Sequence, residues 1–132
     1  MSGERTAEVA QRTVRVAVPS ESPGGLAARR SGHFGHCTCF TIVGVNDGQL
    51  GEVTVVENLP HTEGGCMAPV MLLAEHMVDA IVVEGIGGRP LAGFNHVGIA
   101  VHAGVGETVE QTVRAYALDL LPPVGPGGSC RH

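Results

Sequence analysis

The sequence predicts an α/β fold, one mixed five-stranded sheet with helices on its faces, and three observations carry that expectation. β-branched runs fill the first half and frame an Asp-Gly turn, two short and wholly apolar runs lie in the second half, and segments of helical period stand between and after them. Composition agrees with these. With no Trp, one Tyr and three Phe in 132 residues, and a 43% hydrophobic fraction, the core must be mostly Val, Leu, Ile and Ala, which suits a buried sheet in one domain.

Taken in order, residues 1–13 are polar and aperiodic and read as a loose extension, residues 14–121 as one domain, and residues 122–132 as a Gly/Pro-rich tail. Val14 to Val18 alternates as a first strand, and Pro19-Ser20 with Pro23-Gly24-Gly25 opens a polar loop to about Gly32. Cys39 to Val45 and Val53 to Val56 flank Asn46-Asp47-Gly48 and predict an antiparallel hairpin. A helix follows over Ala68 to Met77, with Pro69 near its start and Val70, Leu73 and Met77 at helical spacing. Ala80 to Val83 is apolar throughout, as a strand covered on both faces would be. Gly88 to Phe94 predicts a short helix, Val97 to Val101 another buried strand, and Glu107 to Leu121 a helix with Val109, Val113, Tyr116 and Leu120 in one stripe. The resulting order is β-β-β-α-β-α-β-α, for which right-handed crossovers favour a single sheet.

The net charge of −5, with eight Lys plus Arg and no run of them, supplies no surface for a phosphate backbone, so nucleic acid is not expected as a partner. No apolar run approaches the ~20 residues that span a bilayer, and the mixed charges of the first 13 residues are unlike a signal peptide. A cytoplasmic location follows as the expectation. Reduced thiols there bind metal or do redox chemistry more often than they pair.

In an open α/β sheet, ligands collect beyond the carboxyl ends of the parallel strands. Three glycine turns fall there: Gly64-Gly65 before Cys66, Gly85-Ile86-Gly87-Gly88, and Gly104-Val105-Gly106. Glycine lets backbone N–H groups approach a ligand, and each helix start carries partial positive charge, so together the turns predict an anion-binding rim. Singly, each is ordinary turn chemistry. The segment His33-Phe34-Gly35-His36-Cys37-Thr38-Cys39 emerges at the same rim, as does the loop with His61 and Cys66. Cys37 and Cys39 would share one face of an extended chain, Cys66 would lie near a helix start that lowers its thiol pKa, and His102 would sit just past the fifth strand. Cys37, Cys39 and Cys66 with His33, His36 and His102 are therefore the candidate ligands, soft enough for zinc, copper(I) or iron–sulfur species. The bland alternative for Cys39 is a small buried hydrophobe. His76 and His96 take no role, while Cys130 and His132 lie in the tail.

On these residues the chain resembles the dinitrogenase iron–molybdenum cofactor biosynthesis family, the NifX-like and NafY-like carriers whose domain also ends NifB. The resemblance runs from about Val14 to Leu121 and rests on the strand Val14 to Pro19, the segment Ser31 to Cys37 leading into Phe40, Glu57-Asn58 before His61 and Gly64-Gly65, and the last glycine turns. It implies a ribonuclease H-like fold and a carrier of an iron–sulfur or molybdenum-containing cluster, working with a cofactor-assembly or acceptor protein. His33 carries over by position, with Gly35 beside it in the same motif. An alternative is an interaction domain stabilised by zinc on Cys37, Cys39, Cys66 and a histidine. No enzyme is expected: Val14 to Val18 lacks the carboxylates of a two-metal nuclease, and no Cys-x-x-Cys is present.

Overall fold

A computed structural model of the chain describes residues 13–31, 37–58, 67–84, 88–104, 106–118, 120, 121 and 124. Five strands form one sheet: β1 (Val14–Ser20), β2 (Cys39–Asn46), β3 (Gln49–Glu57), β4 (Ala80–Val83) and β5 (Ala100–Ala103). Three helices accompany them: α1 (Met67–Glu75), α2 (Gly88–Val97) and α3 (Val109–Ala117). The spatial order is β3-β2-β1-β4-β5. β1 is central, antiparallel to β2 and parallel to β4, which in turn runs parallel to β5.

The hairpin turns where the sequence predicts, because Asp47 and Gly48 both take positive φ, 55° and 79°, the pattern of a two-residue turn whose twist matches the strands. That turn pairs Asn46 with Gln49, so β3 starts earlier than its apolar residues suggest. A register shift between Val43 and Val45 absorbs the mismatch.

Each face of the sheet is covered. Val70 and Leu73 of α1 and Leu91 and Phe94 of α2 pack on Ala17, Ile42, Ile81, Val83 and Val101. Val109 and Val113 of α3 pack on Val16, Val18, Val43 and Val82 from the other side. Alternation along β1 sends Ala17 to the first layer and its two valine neighbours to the second. β4 is buried at every position, as its unbroken apolar run requires.

Further boundaries differ from expectation. α1 ends at Glu75, so Met77, at φ 61° and 73% exposed, drops out of the stripe predicted with Val70 and Leu73. α2 runs on to Val97, whose side chain packs against the Phe94 layer, and Gly98 at φ 84° ends it; β5 therefore begins at Ala100 and not at Val97. α3 is shorter than the predicted 107–121. Its cap is Thr108, in a capping box with Gln111, and Leu120 lies 65% exposed beyond its end while Leu121 is buried. Val124, assigned to the tail by sequence, donates its N–H to Val101 O at 2.7 Å.

Phe94 is fully buried in the larger layer. Phe94→Ala is expected to cost about 3–5 kcal/mol through lost burial and the cavity left behind, read as a drop in the chemical-denaturation midpoint with the slope unchanged.

Candidate functional site

The helix after β4 lies on one face of the sheet and the helix after β5 on the other, so the carboxyl ends of these two strands form the switch point where the ligand crevice of open α/β sheets falls. The loop leaving β1 closes over one side of it. Ser31 N donates to Pro19 O and Arg30 N to Glu107 O, each at 2.8 Å, and Ser20 pairs with Arg30 while Arg29 pairs with Thr108. A strand has two edges, and Cys39 occupies one edge of Ser20. Arg30 therefore stands on the β4 side, in line with that strand beyond its last paired residue. Ser20 Oγ and Thr41 Oγ1, 2.8 Å apart and buried, tie the loop down through a 3.1 Å bond from Gly25 N to Thr41 Oγ1.

The start of α3 is not the open anion cradle expected from Gly104 and Gly106. Val109 N donates to Ala28 O and Glu110 N to Leu26 O, both at 2.9 Å, and Gln111 N donates to the Thr108 hydroxyl. The amides of Glu107 and Thr108 donate to Gln111 Oε1. The loop's carbonyls have taken the donors that a ligand would need. Gly104 N is likewise used, donating to Val83 O at 2.8 Å. Both glycines are instead required for space: a Cβ on Gly104 would overlap Val82 Cγ1, and Gly106 holds φ 101° with Gln111 Cβ 3.0 Å from where its own Cβ would stand.

Side chains of the candidate ligands distribute differently from the prediction. β2 begins at Cys39, so strand alternation does not reach Cys37 and the two thiols do not share a face. Cys37 is buried in the layer with Phe40 and Ile42, while Cys39 lies on the Thr41 and Val43 side, its Sγ 3.8 Å from Ser20 O. This arrangement gives no support to a closed tetrahedral zinc site built on both. Asn58 Nδ2 donates to Cys37 O at 2.9 Å and lies 3.7 Å from its Sγ. Burial pushes the Cys37 thiol up to about 12 against backbone hydrogen bonds at Ser20, Cys37 and Cys39 that favour the thiolate. The Cys39 thiol is also raised, by burial first and by the Glu57 carboxylate second.

His102 is drawn away from the rim because β5 starts later than predicted and includes it. Its Nδ1 lies 3.1 Å from Leu121 O, and since a carbonyl only accepts, that nitrogen carries the proton. The ring stands edge-on to Tyr116 at 5.0 Å. Gly88 is the first residue of α2. His33, Gly35, His36, Gly64, Gly65, Cys66, Gly85 and Gly87 lie outside the described residues, as do His61, Cys130 and His132. Among the described residues, no group of three or more His, Cys, Asp or Glu side chains could hold a metal ion.

Sequence reasoning missed Arg30, which it left in a polar loop. Its Nε donates to Gly106 O at 3.0 Å, and its Nη1 is a buried donor without an acceptor. The available signal was an Arg-Arg pair in a chain poor in cations, placed just before Ser31 and Gly32.

These features define the molecule as a three-layer α/β domain whose crevice lies at the switch between opposite-facing helices. The chain belongs to the dinitrogenase iron-molybdenum cofactor family, whose sequence profile matches residues 12–118. Among individual proteins it is 28% identical over 90 residues to the protein MJ0580 of Methanocaldococcus jannaschii, a match covering 67% of this chain and 76% of that one. The crystal structure of PH0822 superposes with a TM-score of 0.71 at 28% identity over 83% of this chain and 96% of that chain. The apo form of the orange protein of Desulfovibrio gigas shares the fold, with a TM-score of 0.71 at 24% identity, over 86% and 95% of the two chains. Among the described residues no helix is long and apolar enough to cross a membrane.

The buried Cys37 thiol makes stability sensitive to alkali. Between its ordinary value of 9.0 and about 12, the unfolded chain has released a proton that the folded protein keeps. Its contribution is thus complete below pH 9 and is lost as pH rises toward about 12. The denaturation midpoint should fall over this window less steeply in Cys37→Ala than in the wild type. Parallel slopes would assign the alkaline loss to other groups.

Proposed function

We propose that this protein carries an anionic iron–sulfur or molybdenum-containing metal–sulfur cluster during its assembly or transfer, handing it to an assembly or acceptor protein and catalysing nothing itself. The observation that carries this reading is the family match across residues 12–118, which spans the whole sheet and all three helices. The crevice between β4 and β5 agrees with it, because that is where α/β sheets hold ligands. The strand order, with three antiparallel strands beside two parallel additions, supports a ribonuclease H-like assignment of the topology. β1 carries no carboxylate, so the fold is used here without the metal-binding acids of a nuclease.

In this reading the soft and imidazole ligands for the cargo come from His33, His36 and Cys66, with backbone N–H groups of Gly64, Gly65, Gly85, Gly87 and Gly88 as further candidate donors to it. Cys37 packs in the layer with Phe40 and Ile42, and Cys39 is buried with its Sγ 3.8 Å from Ser20 O, so this reading gives both a structural part. His102 fastens Leu121 to β5. A cytoplasmic site of action follows from the reduced thiols such chemistry needs.

Anaerobic reconstitution with iron and sulfide, and in parallel with thiomolybdate, tests this proposal. A chromophore with matching metal and sulfide should survive desalting, and His33→Ala and Cys66→Ser should each retain less of it with unchanged circular dichroism. Colourless protein from both reconstitutions would overturn the carrier role.

A further inference from the structure

We propose that Arg30 is the cation that anchors a polyatomic anion, such as a thiometalate, in the crevice between β4 and β5; as a statement about the carrier's cargo it rests on the reading above. Three observations place it there. The antiparallel bridge to Ser20 sets its backbone beyond the carboxyl end of β4. Its Nε is held by Gly106 O at 3.0 Å, which fixes the guanidinium plane over the turn that follows β5. Its Nη1 lies 3.5 Å from where a Gly104 Cβ would stand, which sets that nitrogen beside the first residue after β5.

The chemistry follows from what is left unsatisfied. Among the described residues, Nη1 of Arg30 is the buried side-chain nitrogen or oxygen without a hydrogen-bond partner. A buried charged donor without an acceptor is costly, so the completed site supplies one. The amides at the start of α3, which would otherwise receive an anion, are consumed by Leu26 O, Ala28 O, Thr108 Oγ1 and Gln111 Oε1. In a chain of net charge −5, a local cation supplies attraction for an anion that the spent α3 amides do not. A guanidinium suits this task because one edge can stay on Gly106 O while the other meets an oxygen or sulfur of the ligand.

Titration of the metal-free protein with tetrathiomolybdate, followed by its visible absorption under anaerobic conditions, tests the assignment in wild type, Arg30→Lys and Arg30→Met. Arg30→Met should bind about tenfold to a hundredfold more weakly, the range expected for one charge-assisted hydrogen bond. Its affinity should also respond less to added salt, which a purely structural role would not produce. Arg30→Lys should fall between, since an ammonium cannot span both Gly106 O and the ligand. Thermal unfolding of each metal-free variant shows whether the loop remains in place, and Arg30→Lys keeps the test valid if Arg30→Met does not fold. Equal affinity and equal salt dependence in wild type and variants would reduce Arg30 to a tether for the Gly106 turn and leave the carrier role standing. Wild type that binds no tetrathiomolybdate would overturn this assignment, and colourless protein after iron and sulfide reconstitution as well would overturn the carrier role with it.

Discussion

The structure depends on the two edges of β1. One edge fixes the antiparallel hairpin through a register running from Val14 opposite Val45 to Ser20 opposite Cys39, and the other receives β4 at Val16 and Ala17. At Ser20 the second edge passes from β4 to Arg30, so a single strand aligns the hairpin, the parallel strands and the loop over the crevice. A slip of one residue would turn Val16 and Val18 toward the α1 and α2 layer and Ala17 toward α3, unpacking both layers at once.

Much of this was legible because it is local. The Asp-Gly turn, the β-branched hairpin strands and the unbroken apolar run of β4 state their conformations within a few residues, and the order of elements then leaves few topologies. The end of α2 was also readable, since Val97 continues the Leu91 and Phe94 spacing and Gly98 follows; reading the helix short moved β5 by three residues and placed His102 at the rim. What could not be read was long-range. The donors at the start of α3 are occupied by carbonyls of residues 26 and 28, some eighty positions earlier, and no pattern in the sequence announces that pairing. The thiols illustrate a third case. Two positions apart suggests a shared face only if the chain is already a strand at Cys37, and it is not.

The described thiols and the glycines at the end of β5 serve structure. Cys37 is packed among apolar side chains, where desolvation outweighs the backbone donors near it, and Cys39 is buried against the Ser20 carbonyl; both behave as small core residues. Gly104 and Gly106 serve packing and backbone conformation at the β5–α3 turn, where Val82 and Gln111 fill the space a side chain would need, and the arginine from the opposite loop bonds to the Gly106 carbonyl. Positive charge at the rim is thus delivered by a side chain from far away in sequence while the neighbouring helix dipole is already capped.

Because Leu26 and Ala28 cap α3 with their carbonyls, the β1–β2 loop and the helix behave as a single latch. Lifting the loop uncovers two amides of the first turn, strips Arg30 from Gly106 and loosens the Ser20–Thr41 clasp beneath Gly25, so the cover does not swing by small degrees.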